Sequence, residues 1–178
     1  IRIENEESTK RHLKMNILER IVADKRVEVD LKKSVLPLDY LRNSPMIERE
    51  AFSLGESLQE RSGIIAEFKR RSPSKQVINQ KSGVAEVVTG YQTAGASGIS
   101  VLTDTKYFGG SLDDLLQARA SVELPVLRKD FMIDPYQLFE AKAFGADVIL
   151  LIAAVLQPEQ VKILSRVAHD LGLEVLLE

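Results

Sequence analysis

"PVLRKDFMIDPYQLFEAKAFGADVILLIAAVL", residues 125–156, holds one complete unit of the fold. "PVLRK" is a short apolar run that emerges into charge, and "DVILLIA", from residue 147, is apolar at odd and even positions alike. Between them "DPYQLFEAKAFG" has the length and amphipathic spacing of a helix, with Pro135 at a first helical position and Gly145 at its end. The unit reads strand–helix–strand. A strand that is apolar on both parities is covered on both faces, as in a parallel sheet whose connections are helices.

The same unit recurs on either side. Apolar runs start at residues 64 ("IIAEF"), 98 ("GISVL"), 125, 147 and 174 ("EVLLE"), at intervals of 34, 27, 22 and 27 residues. "GVAEVVTGYQTAG", "LDDLLQARASV" and "PEQVKILSRVAHDLG" fill the other gaps as helices, with Gly95 and Gly172 closing two of them and Pro158 opening the last. The order βαβαβαβαβ predicts a parallel α/β sheet. No Gly-x-Gly-x-x-Gly opens the helix after the first strand, which argues against a dinucleotide-binding sheet. A (β/α) barrel is the better candidate, here its first five strands. Upstream, residues 1–63 read as a helical extension. "NILERIVADKRVEVDLKK" is a helix capped by Asn16, Pro37 and Pro45 punctuate the segments after it, and "IEREAFSLGESLQERSG" is a further helix ended by Gly63. The extension and residues 64–178 are expected to form a single structural domain.

Composition narrows the function. The 24 Lys and Arg residues against 26 Asp and Glu give a net charge of -2 with no dense basic cluster, so nucleic acid is not an expected partner. The longest apolar run, "VILLIAAVL" at 148–156, is too short for a membrane span. "IRIENEESTKRH" is charged from the start and does not read as a secretion signal. The absence of cysteine excludes disulfides, a thiol nucleophile and thiolate metal sites, and fits a reducing, cytoplasmic compartment. No His/Asp/Glu grouping has metal-ligand spacing, and His12 and His169 fall on helices away from the strand ends.

Parallel α/β folds place their chemistry at the C-terminal ends of strands. Those ends are charged here: Glu67 and Lys69 on the first strand, Lys129 and Asp130 on the third, Glu178 on the fifth. Glu67 and Lys69 share a parity and therefore a face, as do Leu127, Lys129 and Phe131, and Leu176 and Glu178. If those faces point inward, two lysines and two carboxylates converge at the mouth of a barrel. Opposite charges at close range hold each other ionised, and partial burial lowers a lysine pKa toward the range useful for an acid. A single charged strand end is usually just solvated. Three with inward parity make a pocket the stronger reading. Ser72, Pro73 and Ser74 form either a plain turn or part of that pocket, and "YFGGS" at 107–111 is either a glycine loop over an anion or a simple connection.

"IIAEFKRRSPS", "SVLTDTKYFGGS", the 125–156 stretch and "GLEVLLE" together resemble the indole-3-glycerol phosphate synthase family, over residues 12 to 178. The first-strand Glu-x-Lys followed by Ser-Pro-Ser, combined with the third-strand Lys-Asp-Phe, is the specific part of the likeness. The resemblance implies a (β/α)8 barrel. It also implies conversion of 1-(2-carboxyphenylamino)-1-deoxyribulose 5-phosphate to indole-3-glycerol phosphate, a step of tryptophan biosynthesis that uses no cofactor or metal. It matches Lys129 to the general acid of ring closure and Glu178 to the general base of dehydration. Lys69 matches a substrate-binding lysine that assists the acid chemistry, and Glu67 the carboxylate that orients both lysines. Ser72 matches a contact to the substrate carboxylate, while Phe108, Phe131 and Leu150 match the apolar lining of the ring pocket.

Two departures stand out. Gln76 replaces the glycine usual in the family after "SPSK", so the loop is expected to differ in shape. The sequence also stops after the fifth strand, so the family's last three βα units, with the main phosphate site and an asparagine and a serine, are expected to be absent from it. The rival expectations are a non-catalytic partial barrel that needs a complementary chain, with exposed sheet edges that invite self-association, or another phosphate-binding barrel enzyme. The neighbouring isomerase of the same pathway is an example of the latter, but its chemistry favours a cysteine.

Overall fold

The first of the described helices is fixed by its opening turn. The Asn16 side chain accepts from the Glu19 amide at 2.9 Å, and the Glu19 carboxylate accepts from the Asn16 amide at 2.8 Å, a reciprocal cap. Helix α1 (Ile17–Val35) grows from it. The computed structural model describes residues 15–78 and 81–178, so His12 lies outside the described residues. Pro37 opens the short α2 (Leu38–Arg42), and Ser53 caps α3 (Leu54–Glu60) by accepting from the Glu56 amide at 3.1 Å.

The helix expected over residues 47–63 is thus confined to its second half. Backbone groups before Ser53 have stronger tertiary partners. The Arg49 carbonyl accepts from the buried Lys142 ammonium at 2.8 Å, and the Phe52 amide donates to the buried Asp147 carboxylate at 2.9 Å. Groups committed in this way cannot also serve an i→i−4 ladder.

From residue 65 the elements alternate as expected: β1 (Ile65–Phe68), α4 (Val84–Thr93), β2 (Gly98–Leu102), then α5 (Thr105–Phe108) and α6 (Leu112–Ser121), β3 (Val126–Lys129), α7 (Pro135–Ala143), β4 (Val148–Leu151), α8 (Pro158–Asp170) and β5 (Glu174–Leu177). The single turn α5 was not expected. Asp104 caps it through the Tyr107 amide at 2.7 Å, and Gly109, at φ 68, ends it in the left-handed conformation that glycine adopts without strain. Next to it, a Cβ on Gly110 would stand 2.0 Å from the Leu102 carbonyl oxygen, so only glycine lets this loop fold back on β2.

The five strands are all parallel and pair in the unreversed order β1-β2-β3-β4-β5. Successive right-handed crossovers without a reversal keep every connecting helix on one face. The packing agrees. Val88 of α4, Leu115 of α6, Leu138 of α7 and Leu164 of α8 are buried against Ile99, Val101, Val126, Ile149 and Leu151. Each such side chain contributes roughly 1.5–3 kcal/mol when fully buried. The opposite face carries Ile65, Leu127, Val148, Leu150 and Leu176, covered at its lower end by Leu54 and Leu58 of α3. Gly98 permits that cover, since a Cβ there would lie 2.6 Å from Leu54 Cδ1. Helices on one face and stacked side chains on the other make this sheet a barrel wall.

Carboxylates staple the lower end. Asp147, fully buried, accepts from Arg49 at 2.7 Å, Arg119 at 2.6 Å and the Val126 amide at 2.8 Å. Glu174 accepts from the Leu54 and Gly55 amides at the start of α3. No helix among the described residues is long and apolar enough to cross a membrane.

Candidate active site

The charges of "EFKRR", residues 67–71, part to opposite sides of the wall. Phe68 is buried in the helix-side core. Arg70 sits over its ring at 5.0 Å and makes a two-pronged pair with Asp114 of α6, at 2.8 and 3.1 Å. Arg71 donates to the Thr105 and Lys106 carbonyls, each at 2.8 Å, and so caps the C-terminal end of α5. Glu67 and Lys69, opposite in parity to Phe68 and Arg70, face the concave side.

There they meet the expected partners. Glu67 Oε1 lies 2.7 Å from Lys69 Nζ, and Oε2 lies 3.3 Å from Lys129 Nζ. Lys129 Nζ is also 3.9 Å from a Glu178 oxygen. The first three side chains are about one-third exposed (29%, 31% and 33%), and Glu178 is more open at 63%. Burial alone would raise the Glu67 pKa, but the Lys69 and Lys129 ammonium groups outweigh it and hold the carboxyl below its ordinary range. Glu67 is therefore a standing anion between two cations.

Apolar walls complete the pocket. The rings of Phe108 and Phe131 stand 6.1 Å apart between centroids, tilted by 39°. Leu150, fully buried on β4, forms the floor. The cavity so enclosed has a volume of about 160 Å³. Seven of the eight residues singled out in the sequence line it: Glu67, Lys69, Phe108, Lys129, Phe131, Leu150 and Glu178. Leu102, Asp130 and Ile152 line it as well. Leu102 is the register partner of Lys129 across β2 and β3 and so shares its face.

Ser72 is not brought into this pocket. Its hydroxyl accepts from the Lys75 amide at 3.1 Å and pairs with Ser74 at 3.2 Å, and its backbone bridges to Lys75. The plain-turn reading describes this geometry. A larger cleft of about 720 Å³ beside α1 takes in Leu31, Leu112 and Phe144, but none of the five strand-end charges. His169 sits in the last turn of α8, away from the pocket. Among the described residues no group of three His, Asp or Glu side chains is placed to hold a metal ion.

A buried ionic layer underlies the pocket, and no motif in the chain announces it. Lys25 of α1, 1% exposed, contacts Glu28 at 2.7 Å, Asp104 at 2.9 Å and Asp130 at 3.0 Å. Arg128, pointing to the helix side of β3, meets Asp130 at 3.2 Å and Glu140 at 2.7 Å. Thr103 donates to Asp130 at 2.6 Å. Burial disfavours every one of these charges, so each depends on its partners. Asp130 is held far below the ordinary carboxyl range by Lys25 and Arg128 against that burial.

Residues 18–178 match the family described as indole-3-glycerol phosphate synthase. The chain is 51% identical over 164 residues to the indole-3-glycerol phosphate synthase of Bacteroides thetaiotaomicron, covering 92% of this chain and 63% of that protein. It is 44% identical over 168 residues to that of Neisseria meningitidis serogroup B, covering 92% and 65%. For that of Bordetella pertussis the identity is 41% over 168 residues, covering 92% and 64%. The chain spans a little under two thirds of the length of these relatives. With a family match over most of its length and a parallel barrel wall that gathers its strand-end charges in one pocket, the chain belongs to the indole-3-glycerol phosphate synthase family.

Proposed function

We propose that this pocket carries out the ring closure, decarboxylation and dehydration that make indole-3-glycerol phosphate from 1-(2-carboxyphenylamino)-1-deoxyribulose 5-phosphate, as a cytoplasmic step of tryptophan biosynthesis. The observation that carries the reading is the Glu67 carboxylate bridging Lys69 and Lys129 in front of two aromatic walls. In the first step the ring carbon bearing the carboxylate bonds to the ketone carbon. Negative charge develops on the ketone oxygen, and Lys129 donates the proton that turns it into a hydroxyl. Carbon dioxide then leaves, and its bonding pair restores the aromatic ring. In the last phase the hydroxyl takes a proton from Lys69 and leaves as water, while Glu178 removes the proton of the neighbouring carbon and that bonding pair becomes the carbon–carbon double bond of the indole. Lys69 binds the anionic substrate and supports the acid chemistry. Glu67 holds both ammonium groups in place, and Phe108, Phe131 and Leu150 grip the flat ring.

The reading is tested by turnover of that substrate by the full-length protein, monitored through the fluorescence of the indole product. Lys129→Met is expected to lower turnover by roughly 10²–10⁴-fold, the usual range for a lost acid, with a smaller change in affinity. Turnover within about threefold of the parent would remove Lys129 from its assigned role.

A further inference from the structure

The buried layer beneath the pocket has a geometry that bears on its two aromatic walls. Asp130 precedes Phe131, and its Oδ1 accepts from the Phe131 amide at 2.8 Å. Asp104 caps α5, whose last residue is Phe108, by accepting from the Tyr107 amide at 2.7 Å. The two carboxylates belong to different strands' ends, and one ammonium joins them: Lys25 Nζ is 2.9 Å from Asp104 and 3.0 Å from Asp130. The neighbouring Asp24 takes the outer side of α5, through Lys106 Nζ at 2.7 Å and the Tyr107 hydroxyl. Helix α1 thus grips α5 from two successive residues.

We propose that Lys25 is a positioning residue, whose ammonium ties the cap of α5 to the end of β3 and thereby sets the gap between Phe108 and Phe131. A fully buried lysine is costly, and α1 could be anchored by the apolar contacts it already makes through Val29 to Leu41 and Tyr136. What apolar packing cannot do is draw two carboxylates together by a single point. Without Lys25, Asp104 and Asp130 repel across the same space, and the walls move apart. The proposal rests on the synthase reading for its kinetic consequence, but not for its structural one.

The test uses the full-length protein with Lys25→Met, and also Lys25→Met/Asp104→Asn, in which the amide keeps the cap and one stranded charge is removed. Two quantities are read. The nuclear Overhauser contact between the Phe108 and Phe131 rings, in protein carrying labelled phenylalanine, reports the gap. KM and kcat, measured separately, report its use. We expect the ring contact to weaken in both variants and KM to rise about tenfold or more, with kcat changing less, since displacements of about 1 Å can cost up to 10²-fold. A folded variant with lower Tm but an unchanged ring contact and unchanged KM would overturn the proposal and leave Lys25 as an ordinary buried charge. If the parent protein does not turn over the substrate, the synthase reading fails, and the ring contact alone still decides the role of Lys25.

Discussion

Glu67 has one carboxylate oxygen for each lysine, and this division decides how substitutions combine. Oε1 serves Lys69 and Oε2 serves Lys129. Glu67→Gln keeps the shape but removes the charge that both cations share, so its effect on kcat/KM should overlap with those of Lys69→Met and Lys129→Met. In a double-mutant cycle with Lys69 on the full-length enzyme, the combined loss should fall short of the sum by about 0.5–3 kcal/mol. Additive losses would show that the two side chains act independently. This cluster was legible because strand alternation puts residues 67 and 69 on one face, and three strand ends carry charge where a parallel α/β fold places its chemistry. Ser72 was not, since a loop has no such period and its hydroxyl found a partner three residues on. Lys25 was wholly hidden. Nothing local marks a helical lysine whose carboxylates arrive at residues 104 and 130.

At the scale of elements, α1 is fastened by charge, and that makes its hold dependent on pH. Burial by itself would lower the Lys25 pKa, but Asp130 and Asp104 together with Glu28 raise it above its ordinary value of 10.5. A base raised in the folded state contributes stability that is complete below its unfolded pKa and is lost as pH rises through the folded one. Asp130, depressed, contributes stability that is complete above its unfolded value near 3.8 and is lost as pH falls below it. Between about pH 5 and 9.5 the fastening should therefore be constant. Burial and Asp24 push the Tyr107 hydroxyl up to about 12, so it titrates on the alkaline side too, and the comparison must be made against a variant that keeps it. The urea midpoint of the parent should fall more steeply above about pH 10.5 than that of Lys25→Met/Asp104→Asn. Parallel curves would show that Lys25 adds nothing to α1 docking. The cap of α1 was readable from Asn16 and Glu19, whereas the shortened α3 was not. Its missing turns were lost to Asp147 and Lys142, residues that sequence distance conceals.

For the whole molecule, the unreversed strand order agrees with four βα repeats leading to a fifth strand and with the absence of a dinucleotide fingerprint, both visible in the sequence. In the sheet of the described residues β1 and β5 are the edges, and the concave face between them is apolar at Leu127, Leu150 and Leu176. We expect a polypeptide confined to residues 1–178 to self-associate through these edges and to give no measurable turnover, with size-exclusion chromatography and the indole assay as the checks. Supplying the remaining length of a relative as a second chain should restore a soluble, active complex. A monomeric, active 178-residue polypeptide would contradict that. The tie at Lys25 also has a consequence in time. During synthesis α1 is made before the carboxylates that receive its ammonium, which come about 80 and 100 residues later, at roughly 5–20 residues per second. For those seconds Lys25 is an ordinary lysine in water. The pocket's two walls can be joined only once the third strand has left the ribosome, so α1 waits for its seat while the first two strands and their helices are made.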